Sequence, residues 1–153
     1  MGAPASAALP PGRVRALFGD ERVDYGQTLQ QHYQHGAPAD WPERFVSAYA
    51  SAHPWEDWAE TWAHYLHMTD AVETAVACGL ALQPLRPDEP AMPPLAQGGR
   101  LGAFAERLDQ WFALTYVLNN LNRSLGLPDA YPFLLSTPVI DKLRFVHDTI
   151  AAG

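Results

Sequence analysis

The stretch that most constrains this chain runs from His53 to Asp70 and reads HPWEDWAETWAHYLHMTD. Pro54 suits the first turn of a helix, where its missing N–H costs nothing. The helical pattern then runs to about Cys78, with Gly79 placed to terminate it. At 100° per residue, Trp55, Trp58, Trp62 and Tyr65 fall on one side, which predicts an aromatic stripe facing the core. On nearly the opposite side His53, Glu56, Glu60, His64 and His67 gather within an arc of roughly 80°. Carboxylates and imidazoles at i, i+3 and i+4 have two readings, an ordinary solvated face or a metal-binding face. Spacing alone does not choose between them.

The rest of the chain reads as helices joined by proline- and glycine-rich connections. Asp20 is placed to cap a helix from Glu21 to about His35, with Tyr25, Leu29 and Tyr33 as its inner stripe and Gly36 beyond its end. His32 and His35 lie in its last turn, where the helix dipole favours imidazoles without any metal. Their i, i+3 spacing also differs from the i, i+4 spacing of a zincin motif. Asp40 and Glu43 bracket Trp41-Pro42 as a capping box for the next helix, whose inner face would carry Phe45, Tyr49 and Ala52. Pro84 to Gly99 holds five prolines, which rules out a helix interior and predicts a surface connection. A long helix follows over Leu101 to Ser124, with Leu101, Phe104, Leu108, Trp111, Thr115 and Leu118 on one side and Gly126 as its stop. The NNLNRS run at its end, with Asn119, Asn120, Asn122 and Arg123, suits capping and loop bracing. Tyr131-Pro132-Phe133 reads as an apolar loop pinned to the core. Thr137 before Pro138 opens the last helix, with Val139, Leu143, Val146 and Ile150 inward and His147 at the surface or a core edge. No segment shows strand periodicity. The expected fold class is all-α, with about five helices around the tryptophan-bearing one.

Composition removes several functions. A net charge of −7, with Lys142 the single lysine, argues against a nucleic-acid or anionic membrane surface. One cysteine excludes an internal disulfide and a cysteine-rich zinc site, and fits a reducing, cytoplasmic setting. No apolar run approaches the roughly 18 residues that would span a bilayer. The opening MGAPASAALPPG lacks the pattern of a signal peptide, so residues 1–12 are expected to be a disordered start or the scar of a lost upstream segment. Residues 13–153 are then expected to form one helical domain.

The segments FGDERVDYG and DWPERFVSAYASAHPWEDWAETWAHYLHMTD, with NRSLGLPDAYPF and KLRFVH further on, resemble a bacterial family of zinc-binding metallopeptidases. The resemblance runs from about Leu17 to the C-terminus. In addition, Tyr49 to Glu60 is similar, without a gap, to the third-ligand segment of anthrax lethal factor, a gluzincin. That resemblance implies zinc as cofactor, a peptide or protein as substrate, and Glu56 as the third zinc ligand. It implies Glu60 as the acidic residue behind the metal and Tyr49 as a hydroxyl aimed at the zinc-bound water. His53, beside Glu56, would line the substrate side.

The departure from the pattern is large. Such peptidases carry H-E-x-x-H on an earlier helix, for two histidine ligands and a glutamate base, and these 153 residues contain none. The zinc ribbon that precedes the peptidase region in full-length relatives has no counterpart Cys-x-x-Cys here. The resemblance thus implies the helical C-terminal subdomain of a zincin-like metallopeptidase, an incomplete domain. Zinc would belong to the complete protein and would not be retained by this chain alone. Exposed core is expected to make the chain self-associate. Two readings remain: an inactive part of a zinc-dependent peptidase, or a catalytically dead helical protein-interaction module.

Overall fold

The computed structural model describes residues 11–92 and 103–152. Residues 1–10, the greater part of the expected disordered start, lie outside the described residues. So do 93–102, which include the end of the proline-rich stretch and Leu101. Among the described residues the protein is all-α, as its periodicities predict. Six helices occur: α1 (Pro11–Phe18), α2 (Tyr25–His35), α3 (Trp41–Arg44), α4 (Pro54–Ala77), α5 (Phe104–Ser124) and α6 (Thr137–Ala151), with a 3-10 turn over Tyr49–Ala52. The sole extended pairing among the described residues is an isolated antiparallel bridge between Leu82 and Met92. The packing divides the chain into two compact units, one of residues 1–65 and 134–153, the other of 66–133, so that α4 contributes to both.

In the first unit, α6 packs on α1 and α3, and α2 packs on the 3-10 turn. Its core contains Phe18, Val46, Ala50, Val139, Leu143 and Val146. Within that core lies an ion pair. Lys142 Nζ donates to Asp57 Oδ2 at 2.6 Å and to the Arg44 carbonyl at 2.8 Å, and it sits 4.6 Å from the Phe45 ring centroid. Both side chains are buried. Burial pushes the Asp57 carboxyl up to about 6, against the opposing pull of Lys142. In the second unit Phe104, Trp111, Ala113 and Leu114 of α5 are buried, with Met68 and Val72 of α4 and Met92 of the loop.

Local details differ from the sequence expectations. Helix α2 starts at Tyr25, not Glu21, because Asp24 is the residue that caps it: Asp24 Oδ1 accepts the Gln27 N–H at 2.7 Å. Asp20 is instead engaged by the Arg22 guanidinium at 2.8 and 2.6 Å. The expected inner stripe of α2 is not buried, and Tyr33 is 70% exposed. The Asp40/Glu43 capping box does not form, since Asp40 makes no side-chain cap bond, and the chain leaves the helix at Phe45, which is extended. Ser47 then accepts the Ala50 N–H at 3.1 Å and opens the 3-10 turn. Val46, Ala50 and the expected Ala52 are buried there, while Phe45 and Tyr49 are half-buried.

Helix α4 ends as predicted, with Gly79 in the left-handed conformation (φ 75°) that favours glycine. Its buried face, however, runs through Asp57, Thr61, Tyr65, Met68 and Val72. That face is turned by roughly 80° from the expected tryptophan stripe. Trp55 is 56% exposed, and Trp58 and Trp62 are half-buried. The reason is volume: large indoles are seldom wholly enclosed, and here they flank the buried seam. Trp58 packs edge-on to Phe18 at 5.1 Å and to Phe145 at 6.0 Å. His147, expected at the surface or a core edge, is buried and hydrogen-bonds the Tyr65 hydroxyl through Nδ1 at 2.8 Å.

The bracing role read for NNLNRS holds. Asn119 clamps Tyr131 at both ends of its amide, Nδ2 to the carbonyl and Oδ1 from the N–H, each at 2.9 Å. Asn122 Nδ2 donates to the Pro128 carbonyl, and Arg123 grips Asp129 with two bonds of 2.6 Å. Tyr131 packs edge-on to Trp111 at 4.8 Å, which pins the loop.

Candidate functional site

The candidate residues come from three pieces of the first unit: α2, the 3-10 turn, and the first two turns of α4. Glu56 stands in the first turn of α4, where the unsatisfied N–H groups favour a carboxylate. It is half-buried. The Tyr25 hydroxyl donates to Glu56 Oε1 at 2.5 Å. This bond, followed by desolvation and the Glu56 charge, raises the Tyr25 phenol above its ordinary range. Tyr49 lies in the same cluster. Desolvation, the Glu56 charge and the neighbouring Tyr33 hold its hydroxyl well above the usual phenol range, so it is a donor at any physiological pH. Tyr25 thus donates to the Glu56 carboxylate, with Tyr49 within reach of its charge and Tyr33 beside Tyr49.

Glu60, one turn on, faces a different partner. Ser47 Oγ donates to Glu60 Oε2 at 2.8 Å while accepting the Ala50 N–H. The carboxylate is therefore tied to the loop that carries Tyr49. The structure brings Tyr49 and Glu56 together and holds Glu60 beside them through Ser47.

His53 does not line a substrate face. It is buried, its Nδ1 accepts the Trp55 N–H at 3.0 Å, and its Nε2 bonds the Val23 carbonyl at 3.2 Å. Both ring nitrogens are engaged by the backbone. His32 and His35 line a shallow hollow of 380 Å³ with Thr28, Gln31 and Ser51. His35 Nδ1 is bonded to the Gln31 carbonyl at 3.1 Å, as expected for a last-turn imidazole. Of the remaining imidazoles on α4, His64 is half-buried and His67 is exposed.

Sequence reasoning missed Tyr25 and Ser47 as partners of the two carboxylates. Tyr25 lies 31 residues from Glu56, beyond any helical spacing, and was read as core. Ser47 carried a readable signal, because a serine just ahead of a helical turn can accept the N–H three residues on, here that of Ala50.

A family described as "Putative zinc-binding metallo-peptidase" matches residues 8–149, nearly the whole chain. The chain belongs to that family. Uncharacterized proteins of Mycobacterium tuberculosis and Mycobacterium bovis are 46% identical to it over 146 residues. That alignment covers 95% of this chain and 41% of each relative, so the chain spans well under half the length of the curated relatives it matches. No solved structure matches.

The family's description raises the question of zinc, and the side chains answer it in part. Among the described residues no three of His, Cys, Asp and Glu come together to hold a metal ion. A catalytic zinc takes three protein ligands and keeps one position open. The residues present do not fit a whole site. Glu56, a half-buried carboxylate with one oxygen already oriented by a phenol, fits one position of such a site. Among the described residues no helix is long and apolar enough to cross a membrane.

Proposed function

We propose that this chain is the C-terminal part of a zinc-dependent peptide hydrolase and supplies the third metal ligand, Glu56, to a site completed by residues beyond these 153. The observation that carries the reading is the placement of Glu56 in the first turn of α4, with Tyr49 in the preceding 3-10 turn near enough for the Glu56 charge to raise its hydroxyl. The resemblance of Tyr49 to Glu60 to a gluzincin third-ligand segment would make those two positions a hydroxyl donor and a ligand.

In the completed site the zinc ion would polarise the scissile carbonyl and lower the pKa of its bound water. The residues of this chain would do three things. Glu56 would present a charged oxygen from a rigid helix turn. Tyr49, protonated throughout the working range, would donate a hydrogen bond to the oxyanion that develops during amide hydrolysis. Glu60, held by Ser47, would hydrogen-bond a ligating imidazole and fix its tautomer. A single carboxylate does not retain zinc, so the 153-residue chain by itself would not hydrolyse peptides. The single cysteine, Cys78, is free and exposed, which suits a reducing cytoplasm.

The test is metal content in the full gene product that carries this chain. Zinc at about one per chain in that product, lost on Glu56→Gln, is the expected result. Stoichiometric zinc in the isolated 153-residue chain would overturn the reading, and full zinc in Glu56→Gln would overturn the assignment of the ligand.

A further inference from the structure

The geometry points to the hollow at the C-terminal end of α2 as a binding site for an arginine side chain carried by a peptide. The binding itself uses no metal and stands on the residues of this chain. That the peptide so held is a substrate rests on the hydrolase reading above.

The hydroxyls that line the hollow have already given their protons away. Thr28 Oγ1 donates to the Asp24 and Tyr25 carbonyls at 3.0 and 3.1 Å, and Ser51 Oγ donates to the Ala48 carbonyl at 2.6 Å. Each keeps only lone pairs for a ligand. The Gln31 carbonyl can only accept, so it takes a proton from His35 Nδ1, and a neutral His35 ring then offers Nε2 as an acceptor. The backbone adds the same sign. Gln31, His32 and His35 belong to the last turns of α2 and Gly36 is its cap, where unpaired carbonyls form the negative end of the helix dipole. No lysine or arginine lines the hollow, and the chain as a whole carries a net charge of −7. An acidic ligand would meet lone pairs and the wrong end of a helix. A cation that brings its own donors fits.

No carboxylate lines the hollow either, and this chooses between the two basic side chains. An ammonium would surrender a tightly held water shell to neutral acceptors alone. A guanidinium is planar, more weakly hydrated and carries five donors. A volume of 380 Å³ admits one such side chain. His32 joins the hollow to the candidate site, because its ring meets that of Tyr49 edge-on at 6.0 Å. An arginine held there would bring its peptide alongside Tyr49.

The experiment titrates the isotope-labelled 153-residue chain, kept metal-free, with acetyl-Ala-Arg-Ala-amide and follows amide and imidazole resonances. The citrulline and glutamate versions of the peptide are run beside it. The arginine peptide should shift His32, His35 and Ser51. Citrulline keeps the shape and loses the charge, so it should bind about 10- to 100-fold more weakly. The glutamate peptide should not bind. His35→Lys sets a cation of the chain's own at the hollow, where the helix dipole favours it, so the fold is kept and arginine binding should fall by a similar factor. Asp141→Asn, at an exposed position of α6, makes the same change in net charge outside the hollow and should leave binding unchanged. No binding of the arginine peptide, equal affinity for citrulline, tighter binding of glutamate, shifts that miss these residues, or equal losses in the two variants would each overturn the inference. None of these outcomes bears on zinc in the full gene product, so the metal-ligand reading stands or falls by its own test.

Discussion

At the scale of single residues, the strongest constraint in the first unit is the buried pair of Asp57 and Lys142. The desolvation of two charges is offset by a 2.6 Å bond, the Arg44 carbonyl and an aromatic face. Lys142→Met would leave an uncompensated carboxylate in the core and should cost about 3–5 kcal/mol. Adding Asp57→Asn to Lys142→Met should recover a large part of that loss, as chemical denaturation of the two variants would show. At the site the informative quantity is the order of effects on zinc content in the full gene product. Glu56→Gln should lose the metal, Glu60→Gln should weaken it by roughly 10- to 100-fold, and Tyr49→Phe should leave it bound. Tyr49→Phe should instead lower turnover by about 10²-fold, as for one lost oxyanion donor. If Glu60→Gln lost zinc while Glu56→Gln kept it, the ligand would stand one helical turn further on. Glu56, Glu60 and Tyr49 could be named from the sequence because they sit within one short run of similar residues. Tyr25 and Lys142 could not, since they reach their carboxylates across 31 and 85 positions and no local pattern records such a contact.

At the scale of elements, the existence of α2, α4, α5 and α6 was legible, whereas α1, the break between α3 and the 3-10 turn, and the phase of α4 were not. Pro54, Gly79 and Gly126 mark their boundaries through backbone chemistry that any context preserves. Of the expected inward stripe of α4, Tyr65 is buried while the indoles are not, because indoles dominate any count of hydrophobicity whereas burial selected Asp57 and Thr61 beside Tyr65. A direct check of the phase follows. Met68→Ala, at a wholly buried position, should cost about 2–5 kcal/mol, while Leu66→Ala, 48% exposed, should change stability by no more than about 0.5 kcal/mol. Thermal melts of the two variants would decide it, and equal losses would contradict the observed face. The start of α2 offers a second check. Asp24→Ala removes the side-chain cap and should cost about 0.5–2 kcal/mol. Asp20→Ala, which the sequence alone would have judged the more damaging, should cost less, because Asp20 only joins an exposed pair with Arg22.

At the scale of the whole molecule, family membership and chain composition pull in different directions. The family is described as zinc-binding, yet among the described residues no metal-binding cluster forms, and the chain spans 41% of its mycobacterial relatives. If the missing ligands lie in the remainder of such a protein, apolar side chains that would pack against that remainder should stand exposed here. Large hydrophobics do stand exposed in each unit: Tyr33, Trp55 and Leu134 in one, Phe112, Tyr116, Leu121 and Leu125 in the other. Single exposed leucines are ordinary, and whether these side chains together form an association surface is what the following measurement decides. The net charge of −7 opposes association through general repulsion, so contact between copies should be weak and promoted by salt. The purified 153-residue chain should therefore bind a hydrophobic dye and sediment with a weight that rises with protein and salt concentration, while holding well under one zinc per chain. A monodisperse monomer that melts cooperatively and leaves the dye dark would describe a finished domain. It would favour the interaction module over the peptidase part.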